Sequence, residues 1–187
     1  MLQYLKEYGQ YVEITGYQDV AFDRVEAFLK ADRKKIEKSV NIQFFDAELI
    51  ATKEHLYFAV LNALQAFKNK TNRSKSLAME TLLYASAQRQ IQKAIEFCGV
   101  KPKTKNMAAV VIGDDPEQIR RAVQAVSECI GGEPDETVLD LPKSKETKIK
   151  KAFGITQIEL ETQKNGSEES AIVNLVIERV ALLSTQF

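Results

Sequence analysis

The residues best suited to chemistry lie between two predicted helices, in the segment Ser86-Ala87-Gln88-Arg89-Gln90. Ser86 is placed to cap the second helix, because its hydroxyl can accept a hydrogen bond from backbone N–H groups two or three residues later. The start of a helix has unpaired N–H groups and the positive end of a dipole, and Arg89 and Lys93 add two cations there. This arrangement favours binding of an anion, a phosphate in particular, but it also fits an ordinary capped helix that binds nothing.

Two amphipathic helices must position this joint. Apolar residues recur at steps of three and four from Leu77 to Tyr84, and the same spacing returns after the joint at Ile91, Ala94, Ile95 and Cys98. Gly99 stands where a residue in the left-handed conformation commonly ends a helix. The pattern predicts two helices that meet at the polar joint.

Two basic loops flank this pair of helices. Residues 68–75 (KNKTNRSK) contain four basic side chains and no acidic one, and residues 101–105 (KPKTK) contain three, with Pro102 excluding helix. Each loop can be a solvated connector or a surface that contacts phosphate beside the joint. The spacing does not decide whether the two loops meet in space.

No constellation in the sequence supports catalysis. His55 is the only histidine and has no serine, cysteine or carboxylate motif beside it, which favours a structural or surface role. Cys98 and Cys129 lie far apart with no CxxC pattern, so we expect no metal site. Gly113 is followed by two aspartates and matches no phosphate-binding loop. We therefore expect a protein without catalytic residues and without a cofactor.

Composition sets the remaining bounds. The 187 residues suit one domain, 44% are apolar and 28% charged, and 26 basic side chains balance 26 acidic ones. A net charge of zero argues against bulk nonspecific binding of nucleic acid, although a local basic patch is still possible. The sequence has no run of eighteen apolar residues and no signal-peptide pattern, so we expect a cytoplasmic protein with no membrane contact.

The rest of the chain predicts an α+β (α/β-like) single domain, residues 1–187, in which several helices pack on a small mixed sheet. Helices are expected after Asp19, after the cap Thr52, after Asp115-Pro116 and over Lys143 to Phe153, and Asp32 to Lys35 is expected to be solvated surface. Strands are expected at Gln10 to Thr15, Val40 to Phe45, Leu49 to Ala51, Met107 to Gly113 (central and buried), Thr137 to Leu141 and Thr156 to Glu161. Their order is not assigned.

The last predicted helix, opened by Ser167 and its acidic neighbours, is apolar almost all round. From Ala171 to Leu183 its polar residues are Asn174, Glu178 and Arg179. Such a helix must be buried on more than one side. It can be a central core element, or it can keep one side for a protein partner.

Three segments carry a resemblance to a known family. The sequence METLLYASAQRQIQKAIEFCGV, which begins at Met79, is similar to the pattern of the small kinase-binding subunit of the KEOPS complex, which makes threonylcarbamoyladenosine in transfer RNA. Asp46 to His55 resembles a second family segment, and Cys129 to Glu133 with Thr137 to Leu139 resembles a third, in the same order. One residue departs from the pattern, because the family has glycine where this chain has Ala87. If that glycine permits close approach of a backbone or ligand, the site has a different shape here.

The resemblance implies two tasks: to bind the small atypical kinase of the complex, and to hold the single-stranded 3′ CCA end of tRNA. Contact with the threonylcarbamoyl-transferase subunit would be indirect. By their charge, polarity and position, the residues we expect to contact RNA are Lys53, Arg73, Lys75, Ser86, Gln88, Arg89, Lys93, Lys101 and Lys103. On the apolar last helix, the residues we expect to contact the kinase are Ile172, Leu175, Val176, Arg179, Leu182 and Leu183. Two alternatives stay open: a kinase-regulating module that does not touch RNA, and a domain that binds a small anion at the joint.

Overall fold

Strands and helices follow one another in an order that builds a sheet covered on both faces. The computed structural model describes residues 2–31, 40–163 and 166–185. Its elements are β1 (Gln3–Leu5), β2 (Gln10–Gln18), α1 (Phe22–Ala31), β3 (Val40–Asp46), α2 (Lys53–Lys68), α3 (Leu77–Ala85), α4 (Ile91–Cys98), β4 (Met107–Gly113), α5 (Pro116–Ile130), β5 (Glu133–Pro134), α6 (Lys143–Phe153), α7 (Gln157–Thr162) and α8 (Glu168–Leu182). Short 3₁₀ turns occupy Ala47–Leu49 and Glu136–Leu139.

The sheet has the order β1-β2-β4-β3, and β5 adds a short pairing to β2. All seven residues of β4 are buried, as its continuous apolar sequence predicts for a central strand. The α+β class and the strands predicted at β2, β3 and β4 are confirmed. One detail is corrected, because the pairings between the described strands are all antiparallel and not mixed in direction.

Alternation along the strands divides the core between the two faces of the sheet. Val12, Ile14 and Val110 point to the face covered by α2, α3 and the end of α8. Ile42 and Val111 point to the opposite face, which is covered by α1 and α5. A third cluster joins α6 to α8 through residues such as Ile149 and Val176. Helices α3 and α4, which flank the joint, therefore lie with α2 on one face of the sheet.

Three predicted strands are wrong, and local capping explains each of them. Leu49 is the last residue of a 3₁₀ turn in which the Asp46 carboxylate accepts the N–H of Glu48, and Ile50 and Ala51 follow it outside any strand. Thr137 to Leu141 is largely a second 3₁₀ turn, held by the Asp135 carboxylate on the N–H of Thr137. Thr156 to Glu161 forms α7, where Thr156 and Glu159 make a reciprocal capping box. In these short segments, side-chain hydrogen bonds to the backbone outweigh a strand pattern of only two or three apolar residues.

Other helix ends follow the predictions. Asp115 caps α5, with Pro116 in its first turn, and Gly131 ends it at a φ of +69°. Ser167 caps α8. Thr52 is the residue before α2, although its side chain makes no capping hydrogen bond. The charged run from Asp32 to Lys35 lies outside the described residues.

Candidate functional site

The joint between α3 and α4 is built differently from the prediction at Ser86. This residue ends α3 instead of starting α4, and its hydroxyl donates to the carbonyl of Leu83 over 3.0 Å. Ser86 is 1% exposed, so its side chain faces the protein interior. Gln90 stands before α4 and makes no side-chain capping bond. The prediction that Ser86 caps the second helix is therefore wrong, because its hydroxyl is used by the preceding turn.

Ala87 is the residue that turns the chain out of α3. Its φ is +49°, in the left-handed region that glycine adopts without steric cost. The N–H of Ala87 donates to the carbonyl of Tyr84 over 2.9 Å, and the N–H of Gln88 donates to the carbonyl of Leu83 over 3.1 Å. This pair of bonds is a Schellman motif, in which a left-handed residue follows the helix cap. The geometry supplies a physical reason for glycine in the resembling family, and alanine here is strained.

Two cationic side chains extend into solvent at this joint. Arg89 and Lys93 are both exposed, and across the described ranges neither has a hydrogen bond or an ion pair. Gln88 beside them is half-buried. Unpaired cations at a fixed turn are available to an anionic partner.

Apolar surface accompanies these cations on α4. Ile91 and Ile95, one helical turn apart, are 43% and 38% exposed. A cavity of about 170 Å³ lies beside Ile95, with Met79 of α3 and Phe44 of β3 also in its wall. The joint thus offers both positive charge and apolar surface.

Gly99 ends α4 in a way that the sequence pattern did not indicate. Its φ of −70° and ψ of 154° are extended, so the predicted left-handed cap is wrong. A Cβ atom at this position would lie 2.6 Å from the carbonyl oxygen of Ile95. Glycine is needed there because the chain passes too close to the helix end for a side chain.

The two basic loops lie at opposite ends of β3. Lys75 shares a cavity with Asn41, near the beginning of this strand. The 101–105 loop lies at its other end, where the Thr104 hydroxyl donates to the Asp46 carboxylate over 2.8 Å. The loop before α3 is also separated from the joint by the length of α3, about 14 Å for nine residues. The described residues therefore do not place the 68–75 loop beside the joint.

The remaining predicted RNA residues have individual environments. Lys53 forms an ion pair with Glu136 at 3.1 Å. Arg73 donates to the carbonyl of Leu183 over 3.5 Å. Lys101 donates weakly to the carbonyl of Phe97 over 3.4 Å, while Lys103 is exposed. Within the described part of the chain, none of these residues forms a hydrogen bond or an ion pair with Arg89.

His55 is a structural residue, as predicted, and it is fully buried. Its Nδ1 accepts the N–H of Ala51 over 3.2 Å, and its Nε2 lies 2.8 Å from the carbonyl oxygen of Ala85. Burial lowers the pKa of the imidazole to about 4, so the ring is neutral near pH 7. A neutral ring with a proton on Nε2 satisfies both contacts, which fixes the end of α3 against the start of α2.

Glu80 is a positioning residue that sequence reasoning missed. It is fully buried, and its Oε2 accepts the N–H groups of Arg73 and Ser74 over 3.0 and 2.7 Å. The carboxylate thereby holds the basic loop that leads into α3. A glutamate inside the apolar arc of a helix was the available signal, since buried acids are rare unless they are hydrogen-bonded.

Most apolar side chains of the last helix are buried in the protein's own core. Ile172, Val176 and Leu183 are fully buried and Leu175 is 3% exposed. Arg179 forms an ion pair with Glu159 of α7. Leu182, which is 40% exposed, is the one apolar member of the predicted kinase set that reaches solvent in the described residues.

Two further statements hold for residues 2–31, 40–163 and 166–185. Every helix in these ranges lacks the length or the continuous apolar sequence that a membrane span requires. No group of three or more histidine, cysteine or acidic side chains in these ranges converges to hold a metal ion.

A known protein family matches most of this chain. The family model described as kinase binding protein CGI-121 matches residues 17–184, which include the joint, the buried histidine and the last helix. The chain belongs to the CGI-121 family. The resemblance found in the sequence is therefore confirmed.

Two curated relatives are similar over most of their length. Regulatory protein Cgi121 of Methanocaldococcus jannaschii is 33% identical over 144 residues, which cover 77% of this chain and 83% of that protein. EKC/KEOPS complex subunit cgi121 of Aspergillus terreus is 25% identical over 147 residues, or 76% of this chain and 73% of that protein. Both relatives have names of regulatory or complex-subunit proteins.

Proposed function

We propose that this protein is a non-catalytic KEOPS subunit that works in the cytoplasm. In this role it binds the small atypical kinase of the complex and holds the 3′ CCA end of tRNA while another subunit makes threonylcarbamoyladenosine. Membership in a family described as kinase binding proteins supports the kinase partner, and the name of the Aspergillus relative supports the complex. The RNA part depends on the joint.

The observation that carries the RNA proposal is the pairing of free cations with apolar surface at the joint. Proteins hold single-stranded RNA ends by stacking bases on apolar or aromatic side chains and by cationic contacts to phosphate. Arg89 and Lys93 supply charge that no described residue pairs, and Ile91 and Ile95 supply exposed apolar surface within one turn of it. Since the Ser86 hydroxyl is buried, this residue shapes the turn, while Gln88 is the polar side chain placed to contact a base or sugar.

A binding assay with two RNAs tests this proposal. Full tRNA is compared with tRNA that lacks its CCA end, on the wild type, Arg89→Glu and the control Arg121→Glu. Arg121 is exposed on α5, which covers the opposite face of the sheet. We expect Arg89→Glu to weaken binding of full tRNA at least tenfold and Arg121→Glu to leave it unchanged. Equal wild-type affinity for both RNAs would exclude tail recognition.

The RNA-binding assay and a thermal-stability measurement with phosphate together separate the alternatives. A kinase-regulating module without an RNA role predicts that Arg89→Glu changes nothing in tRNA binding. A small-anion domain predicts thermal stabilisation by inorganic phosphate, lost in Arg89→Glu, with no preference for RNA that keeps its tail. Each outcome is distinct from tail-dependent binding.

For the kinase we propose the surface formed by α7 and the end of α8. Ile158 on α7 is 75% exposed and Leu182 on α8 is 40% exposed, and the ion pair between Glu159 and Arg179 joins the two helices. Exposed large apolar side chains are typical of the centre of a protein interface, and charged groups are typical of its rim.

Substitutions on the two helices test this surface. Ile158→Asp and Leu182→Asp should each weaken capture of the purified kinase subunit at least tenfold, because a carboxylate would replace an apolar contact. Asn174→Asp adds the same charge on the exposed face of α8 and serves as the control. Unchanged kinase affinity in both variants would locate the interface elsewhere.

A further inference from the structure

A cavity among the described residues lies at the far end of α3 from the joint. Its volume is about 550 Å³, and it opens between the β1–β2 turn, the end of α2 and the loop before α3. This volume falls in the range of small-molecule sites. The CGI-121 description and the names of the relatives assign nothing to it.

One wall of the cavity is aromatic and apolar. Tyr8 and Phe67 supply rings, and Leu77 adds an aliphatic surface. The Tyr8 ring is held in place, because its hydroxyl donates to Oε1 of Gln65 over 2.9 Å and the Lys68 ammonium lies 5.5 Å from its centre. A fixed aromatic ring with an adjacent cation is a stacking surface for a nucleobase.

The polar side of the cavity carries the amide of Asn41 and the ammonium group of Lys75. Asn41 on β3 and Lys75 both line it, and neither side chain has a partner among the residues that the structure describes. Glu7 is the acidic residue of the lining, and its carboxylate is occupied by Lys68 at 3.0 Å. The local charge therefore favours an anion, and the amide can donate to and accept from a base edge.

The loop that carries Lys75 is preorganised by hydrogen bonds on both sides of this residue. The N–H groups of Arg73 and Ser74 are bound by the buried carboxylate of Glu80. On the other side, Ser76 caps α3 by accepting the N–H of Met79. Lys75 lies between these fixed positions, so little backbone ordering is required when it meets an anion.

From this geometry we propose that the cavity is a nucleotide-binding site, separate from the joint. The base lies against Tyr8 and Phe67 with its edge at the Asn41 amide, and the phosphate is bound by Lys75. The shared chemistry is a nucleoside phosphate, supplied either by a free mononucleotide or by an unpaired nucleotide of an RNA. A mononucleotide can occupy this cavity whether or not the joint binds a tRNA tail.

Titration of the full chain with AMP tests the site directly. Two-dimensional NMR of the wild type should show saturable shifts at the Asn41 side-chain amide and the Leu77 methyl groups. Adenosine, which lacks the phosphate, should bind at least tenfold more weakly. Lys75→Glu should weaken AMP binding at least tenfold. Lys70→Glu makes the same charge change in the same loop, outside the cavity lining, and should leave the affinity unchanged.

A second titration with single-stranded RNA identifies the source of the nucleotide. If RNA supplies it, AMP competes with the RNA and Lys75→Glu weakens RNA binding more than Lys70→Glu does. If AMP binds and Lys75→Glu leaves the RNA affinity unchanged, the ligand is a free nucleotide. Either result supports the site. The proposal would be overturned if millimolar AMP caused no saturable shifts, or if Lys75→Glu and Lys70→Glu lowered the AMP affinity equally. Neither result depends on whether tRNA binds at Arg89.

Discussion

The imidazole of His55 connects the start of α2 to the last residue of α3, through a hydrogen bond of 2.8 Å between Nε2 and the carbonyl oxygen of Ala85. Its other nitrogen accepts the N–H of Ala51 over 3.2 Å, so the ring must be neutral with its proton on Nε2. Ala85 directly precedes the turn at Ser86 and Ala87. The position of the joint therefore depends on one uncharged histidine.

This relationship predicts a specific pH dependence of stability. The folded pKa of His55 is about 4, below the ordinary value of 6.5, so the unfolded chain binds the proton more tightly. The stabilisation is complete above pH 6.5 and is lost progressively as the pH falls from 6.5 to 4, by about 3 kcal/mol in the free energy of unfolding. Urea denaturation at half-unit steps between pH 4 and 7.5 measures this loss.

The control is His55→Phe, which cannot titrate. It leaves the Ala51 N–H and the Ala85 carbonyl unpaired inside the protein, so we expect a loss of about 2–4 kcal/mol at pH 7. Because carboxylates also titrate at low pH, the informative quantity is the difference between the two proteins. That difference should shrink between pH 6.5 and 4. Two parallel stability curves would contradict the assigned role of His55.

Glu80 should control the order of the loop that carries Arg73 and Lys75. Glu80→Ala removes the acceptor of two buried backbone N–H groups, and we expect a loss of about 2–4 kcal/mol in stability. Glu80→Gln keeps the size and one acceptor oxygen, so it should cost less. Amide hydrogen exchange is the direct measurement, because the Arg73 and Ser74 amides should exchange faster in Glu80→Ala.

The Thr71 amide is an internal reference for that experiment. Its N–H donates to the carbonyl of Ala66 over 2.9 Å and does not involve Glu80. Its protection, corrected for the global stability change, should stay as in the wild type. If the Ser74 amide shows the same small change as the Thr71 amide, Glu80 does not hold the loop.

Ala87 is expected to be a residue whose replacement stabilises the fold. At a φ of +49° an L-residue has a steric cost that glycine lacks, while glycine loses more chain entropy on folding. The balance predicts that Ala87→Gly raises the free energy of unfolding by roughly 0.5–1 kcal/mol. Ala85→Gly, two residues earlier in helical conformation, should instead lower it by about 1 kcal/mol or more. Opposite signs in chemical denaturation would confirm the strain at Ala87, and a loss of stability in both variants would refute it.

The long strands were predictable because their hydrophobic patterns extend over many consecutive residues. The continuous apolar run of β4 and the alternation in β2 are confirmed. Where only two apolar residues alternated, as at Ile158 and Leu160, a capping box of Thr156 and Glu159 decided the outcome. Strand order depends on contacts between distant segments, which local periodicity does not contain.

At the joint, the cations were found from the sequence but the cap was not. A serine between two helices can serve either one, and the buried position of Ser86 results from the turn at Ala87, where alanine hides the usual glycine signal. The exposure of Arg89 and Lys93 agrees with the expected polar joint. The role of Glu80 depends on two backbone groups six and seven residues earlier, a contact without a short motif.

The apolar sequence of α8 fitted both a core helix and a docking helix, and two leucines on that helix separate these roles. Leu175 is 3% exposed, so Leu175→Ala should lower the free energy of unfolding by about 2–5 kcal/mol through a cavity in the core. Leu182 is 40% exposed, and Leu182→Ala should cost less than about 1 kcal/mol while it still weakens kinase binding. Urea denaturation of the isolated protein measures the stability of each variant, and a binding assay measures its kinase affinity.

Because a destabilised variant can lose partner binding indirectly, kinase affinity is compared at a temperature where Leu175→Ala is folded. Under that condition, lost kinase binding in Leu175→Ala with full binding in Leu182→Ala would mean that α8 rearranges to meet its partner.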